Sequence, residues 1–108
     1  MTERAYPVLG IDIGATSIKY ASLMASGELM FRGSEPVASG SNQQLVEQLA
    51  AVVARPEFAQ CTAIGIGSPG PLDLSGGLIL ASANMPGVQN CALVPELTQR
   101  FPGKKFRL

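Results

Sequence analysis

Asp12, Gly14 and Thr16 are spaced D-x-G-x-T, directly after Val8-Leu9-Gly10-Ile11 and before Ser17-Ile18-Lys19. That order sets one acid inside an apolar strand, then a turn of small residues, then a second strand. A carboxylate packed within a strand is costly unless a partner compensates its charge. Gly14-Ala15-Thr16 lets backbone N–H groups come close to a ligand, and Thr16 adds a hydroxyl. Amides and a hydroxyl suit phosphate oxygens, and the carboxylate suits the magnesium that travels with them. The competing reading is a plain β-hairpin with Asp12 facing solvent near the turn. The dehalogenase-type phosphatase pattern needs a second Asp where Gly14 stands, so that nucleophile-and-acid pair is absent.

Two further stretches imitate chemistry. Gly65-Ile66-Gly67-Ser68-Pro69-Gly70 satisfies G-x-G-x-x-G after an apolar strand. A dinucleotide site also needs a helix opening at the third glycine, and Pro71-Leu72-Asp73 followed by Gly76-Gly77 is poor helix sequence. Pro69 removes an N–H from the cradle, and Asn90 stands where a ribose-binding acid belongs. Ser68 imitates a nucleophile elbow, yet Ile66 replaces the first glycine and Pro69 has no N–H for an oxyanion. The chain has no histidine, so Ser-His and Cys-His pairs cannot form within it. Cys61 and Cys91 make neither a disulfide framework nor metal spacing, and each reads as a buried thiol.

The elements that must carry these residues follow from periodicity. Residues 1–6 are polar and expected to fray. Val8 to Ile13 is predicted as a strand buried on both faces. Ser17 to Met24 and Glu28 to Val37 follow, with a turn at Ser26-Gly27, giving a three-stranded antiparallel meander. Ser41 and Gln44 open a helix as a capping box, and Leu45, Leu49, Val52 and Val53 share one face up to about Arg55. Thr62 to Ile66 is a fourth strand, expected to join in parallel by a right-handed crossover. A loop over 68–77, a short strand over 78–81 and an irregular loop over 82–91 come next. Val94 to Phe101 reads as a short helix, and Lys104 to Leu108 as a strand beside the fourth.

At 108 residues with 46% apolar content, the chain suits one α/β domain or a part of one. Formal charge is zero and no basic run exists, so no nucleic-acid or membrane partner is expected. No leader and no apolar run of membrane-spanning length stand in the sequence, and the chain reads as cytoplasmic.

Ile11-Asp12-Ile13-Gly14-Ala15-Thr16 with Ser17-Ile18-Lys19, then Gly65 to Asp73, then Asn84-Met85-Pro86-Gly87, resemble the ROK family in order and spacing. The family name covers repressors, open reading frames and sugar kinases. Three motifs in order, over most of the chain, are fairly specific. The resemblance implies an α/β, ribonuclease-H-like lobe of the actin-like ATPase superfamily, in which a meander is joined by parallel strands and helices. It implies that residues 1–108 are the N-terminal lobe of a two-lobed, glucokinase-like sugar kinase. Such an enzyme phosphorylates a hexose or N-acetylhexosamine with ATP and magnesium.

Carried over by motif, Asp12, Gly14, Ala15, Thr16 and Lys19 face the ATP phosphates, with Asp12 holding magnesium through water. Gly70, Pro71, Ala83 and Asn84 border the sugar. A structural turn competes for Pro71 and Ala83, and a solvated charge for Lys19. The resemblance places the catalytic base in an acidic segment beyond Leu108, and a sugar-binding His and a cysteine-rich zinc motif further on. The chain alone is therefore expected to be inactive. Ala15 stands for a common glycine, which is tolerable if its φ is negative. Val88 stands where many members carry Trp, implying a differently shaped end of the sugar pocket. About seven residues precede Val8, too few for the helix-turn-helix of the repressor branch. The alternatives are a sugar-binding regulatory protein or pseudo-kinase, and an actin-like ATPase with a non-sugar substrate. A homodimer is expected, with the lobe self-associating beside Gly70 and Asn84 through an uncovered apolar face.

Overall fold

Alternation of large apolar and small residues in β1 (Val8–Ile13) decides how the sheet is layered. In the computed structural model, which describes residues 7–108, Leu9, Ile11 and Ile13 are buried while Val8, Gly10 and Asp12 are exposed. The fraying expected of residues 1–6 lies outside the described residues. β1 is central, flanked by antiparallel β2 (Ser17–Leu23) and parallel β4 (Ala63–Gly67). It is nevertheless buried on one face only, which corrects the two-sided expectation. Gly10, Gly65 and Gly67 carry no side chain with which to build a second layer.

β2 turns into β3 (Leu29–Pro36) at Gly27, whose φ of 89° needs a residue without a Cβ. The Gly27 N–H donates to Met24 O at 2.8 Å and closes the turn. β3 is an edge strand, and the full order is β3-β2-β1-β4-β7, with β7 at Lys105–Arg107. The meander and the parallel fourth strand are as expected, and β7 pairs in parallel with β4.

α1 (Asn42–Val53) covers the apolar face, burying Leu45, Leu49, Val52 and Val53 with Val46 and Ala50. Each fully buried Leu or Val contributes about 1.5–3 kcal/mol against exposure. The capping box forms one residue out of step. The Gln44 N–H donates to Ser41 Oγ at 3.1 Å, but Gln44 Oε1 accepts from the Gly40 N–H rather than from Ser41. Ser41→Ala is expected to lose about 1 kcal/mol. It should appear as a lower urea midpoint, and an unchanged midpoint would mean that Ser41 does not cap. The helix ends at Val53, since Arg55 precedes Pro56 and is extended (ψ 141°).

A 3-10 turn at Pro56–Phe58 follows, and Phe58 O, Ala59 O and Cys61 O accept from Lys104 Nζ at 3.3, 3.2 and 2.6 Å. The stretch 68–77, expected to be loop, contains β5 (Leu72–Asp73), which pairs with β6 (Leu78–Ile79) as a hairpin. Asp73 makes that turn: its Oδ1 accepts from Ser75 Oγ at 3.0 Å and from the Gly76 N–H at 3.1 Å. The Gly76 amide first and the Ser75 hydroxyl second hold the Asp73 carboxyl below the usual carboxylate range. α2 (Leu93–Arg100) buries Leu93 and Leu97 beside α1. Its Arg100 guanidinium meets the Glu47 carboxylate at 2.9 Å on both oxygens.

Cys61 and Cys91 are free and buried, and burial pushes both thiols up. Val8, Leu29, Met30 and Phe31 are large apolar side chains left exposed, at the starts of β1 and β3. Leu74, in the turn between β5 and β6, is exposed as well. No described helix is long and apolar enough to cross a membrane.

Candidate functional site

β1 and β4 run in parallel with Asp12 opposite Gly67, so the turns that follow them leave the same edge of the sheet. Ligands of open α/β sheets gather at the carboxyl ends of parallel strands. Asp12 is the last residue of β1 on the uncovered face. It is exposed rather than buried, which corrects the reading of an acid packed in the strand. It therefore needs no compensating partner within the sheet. A cross-strand row runs Gly67–Asp12–Lys19–Ser34 over four strands. A Cβ at Gly67 would stand 3.4 Å from Asp12 Oδ1, so the glycine leaves that side of the carboxylate open. Lys19 is exposed beside Asp12. The described ion pairs are Arg55–Glu57 and Arg100–Glu47, so Lys19 and Asp12 are not in salt-bridge contact.

A second row runs Arg107–Gly65–Gly10–Ala21–Arg32. Small residues form its floor and a guanidinium stands at each end. Together the rows border an open depression of about 860 Å³, lined by Asp12, Lys19, Arg32 and Ser34 over Gly10, Gly65 and Gly67. Lys19, Arg32 and Arg107 outnumber Asp12 on this face, although the whole chain is neutral. Sequence reasoning missed Gly10, Gly65, Gly67 and Arg32. The available signal was glycine at alternate positions inside two strands, which marks close backbone approach. Gly65 and Gly67 lie within β4, so the literal dinucleotide motif does not open a helix.

The turn after β1 is partly used by the fold. The Gly14 N–H donates to Ser17 O at 2.9 Å, and a Cβ at Gly14 would meet that oxygen at 3.0 Å. Gly14 is therefore a turn-closing residue whose amide is engaged. Ala15 and Thr16 are exposed, and among the described residues their N–H groups donate to no protein acceptor. Among non-glycine residues described, only Asn90 has positive φ, so the Ala15 methyl is accommodated.

The glycine–proline loop starts directly after Gly67, and Gly70 and Pro71 are both exposed. Pro71 O accepts from the Leu80 N–H at 3.0 Å, which brings the segment entering Ser82-Ala83-Asn84 alongside Pro71. Ala83 and Asn84 are exposed, and the Asn84 N–H donates to Ser82 Oγ at 3.3 Å. The fold thus makes two groups. Asp12, Lys19 and the Gly14–Thr16 turn form one, and Gly70, Pro71, Ala83 and Asn84 the other. The depression reaches Asp12 and Lys19 but neither the turn nor the second group. Val88 is fully buried, so it packs the core and does not shape an open pocket.

The donors fit a nucleotide phosphate with its magnesium: an exposed carboxylate, two free amides, a hydroxyl and a lysine, beside glycines that leave the approach open. No group of three or more His, Cys, Asp or Glu able to hold a metal exists among the described residues.

The same arrangement of strands and turns is found in known proteins. The chain is 25% identical over 101 residues to the glucokinase of Thermotoga maritima, covering 92% of this chain and 32% of that protein. The crystal structure of the ROK hexokinase of Thermus thermophilus superposes with a TM-score of 0.81 at 30% identity, covering 94% of this chain and 34% of that one. A ROK family transcriptional regulator, a homologue of the E. coli MLC protein, shares the fold with a TM-score of 0.78 at 22% identity, over 94% of this chain and 26% of that one. The chain spans about a third of the length of the glucokinase and the hexokinase. Since residues 8–105 match the ROK family itself, taking in every strand from β1 to the start of β7, the chain belongs to that family.

Proposed function

We propose that the whole protein is a sugar kinase that phosphorylates a hexose or N-acetylhexosamine, with residues 1–108 as its N-terminal lobe. One observation carries the reading. The turn after β1 and the glycine–proline loop after β4 leave the same sheet edge, so a phosphate-facing group and an acceptor-facing group are neighbours. ATP with magnesium is the phosphoryl donor in such a reaction.

The chain's own residues bind and orient. Asp12 offers a carboxylate to the metal through water, and the Ala15 and Thr16 amides, with the Thr16 hydroxyl, offer donors to phosphate oxygens. Lys19 adds a cation next to Asp12. Gly70, Pro71, Ala83 and Asn84 border the sugar. No catalytic residue is assigned within the chain, and the base that takes the acceptor proton is placed beyond Leu108. The reading includes a homodimer, supported by the exposed Leu29, Met30 and Phe31 on edge strand β3.

A second reading, a sugar-binding regulatory protein without phosphoryl transfer, is favoured by the likeness to the transcriptional regulator. ADP release by the full-length protein across a hexose panel decides between them. Release that depends on one or a few hexoses is expected. Hexose binding without ADP release would establish the regulatory reading. The 108-residue chain alone is expected to release no ADP with any hexose, because in-line transfer needs both walls of a cleft. Hexose-dependent release by the isolated chain would refute the two-lobe assignment.

A further inference from the structure

The loop that carries Asn84 is hydrogen-bonded to a distant helix through one side chain. Met85 and Val88 are fully buried, and the Met85 N–H donates to Ser82 O at 3.1 Å. The Val88 N–H donates to Met85 O at 2.9 Å. These bonds fold the loop on itself, and at its far end the Asn90 N–H donates to Leu80 O at 2.9 Å and the Cys91 N–H to Ile79 O at 2.8 Å, which ties it to β6. Asn42 ties it to α1. Its Nδ2 donates to Gln89 O at 2.8 Å, and its Oδ1 accepts from the Gln89 N–H at 2.9 Å. One carboxamide thereby satisfies both backbone groups of a residue 47 positions away. Beside this pair, Gly87 lies against the backbone of Ser39 and Gly40, where a Cβ would stand 2.7 Å from Ser39 O.

Asn42 has no duty to its own helix. Ser41 supplies the cap, and position 42 is the first residue of α1. α1 is in turn held to the sheet by Leu45 and Leu49, both fully buried. A continuous chain of contacts therefore runs from the sheet through α1 and Asn42 to Gln89 and the loop. The phosphate-facing turn after β1 is built on the sheet directly and does not pass through Asn42.

We propose that Asn42 is a positioning residue for the sugar acceptor, setting where the Asn84 loop stands relative to the sheet. The proposal rests on the acceptor role given above to the 82–91 loop. Losing the pair lets the loop shift while Met85 and Val88 keep it folded. Affinity for the sugar then falls, and affinity for the nucleotide does not.

The test uses the full-length protein and two variants, with glucose and N-acetylglucosamine among the hexoses tried. Asn42→Ala is expected to raise the KM for the preferred hexose about tenfold, as the loss of two neutral hydrogen bonds implies. The KM for ATP should stay within about twofold, since the nucleotide meets a separately built turn. Asn42→Asp keeps the size and favours a helix N-terminus, but sets a carboxylate oxygen against Gln89 O. It should raise the hexose KM at least as much as Ala while leaving the melting temperature unlowered. A merely structural tie would move both KM values together or lower the melting temperature of both variants. That result, or an unchanged hexose KM, overturns the proposal. Titration calorimetry of the parent protein with the same hexoses separates the two levels. A parent that binds none of them overturns the acceptor reading itself, and the role of Asn42 with it.

Discussion

Asp12→Asn in the full-length protein is expected to lower turnover by at least about a hundredfold, the scale of losing one preorganised electrostatic contact at a transferring group. The amide keeps the size and the strand position but cannot supply the charge that holds a metal at the phosphates. Nothing in the fold depends on that charge. Asp12 is exposed, faces Gly67 and Lys19, and is in neither of the described ion pairs. The variant should therefore fold as the parent does. Sugar affinity should hardly change, because Gly70, Pro71, Ala83 and Asn84 sit on other segments. Steady-state kinetics with the preferred hexose, alongside calorimetric sugar binding, make the measurement. Turnover that survives the substitution would remove Asp12 from the phosphate site.

Phe58→Ala is expected to cost about 3–5 kcal/mol of stability, the usual range for emptying a buried aromatic site. Phe58 is fully buried and meets the Tyr20 ring edge to face, with centroids 5.8 Å apart. Tyr20 cannot move into the space freely. Its hydroxyl donates to Glu35 Oε2 at 3.1 Å and accepts from Arg55 at 3.2 Å. Burial, and then the Glu35 bond, raise the Tyr20 pKa. The segment after Phe58 is held as well, through the carbonyls that Lys104 gathers. The cavity thus stays largely open. Since domains are stable by only about 5–15 kcal/mol, the variant should lose a large share of its stability. Urea unfolding followed by circular dichroism measures the loss. A change under about 1 kcal/mol would mean that the site collapses around the smaller side chain.

Local signals were legible where neighbours in sequence are also neighbours in space. The bounds of β1, the turn at Gly27, the cap at Ser41 and the apolar stripe of α1 each depend on a few consecutive residues. The order and spacing of the stretches Ile11 to Lys19, Gly65 to Asp73 and Asn84 to Gly87 likewise carry the resemblance to the ROK family, and the family match agrees. The β5–β6 hairpin was missed because Pro and Gly around Leu72–Asp73 dominate the local pattern, while a two-residue pairing leaves almost none.

The sequence by itself therefore determined the meander, the first helix, the parallel fourth strand and the family, because propensity, capping and turn chemistry act within a few residues. Only the tertiary structure decided that Asp12 is exposed, because that depends on Gly10, Gly65 and Gly67 leaving one face of the sheet bare. It also decided that the Gly14 amide is engaged, that Val88 belongs to the core and that Asn42 holds the Asn84 loop. Each of these follows from which residues the folded chain brings together, and composition and spacing do not encode that closeness.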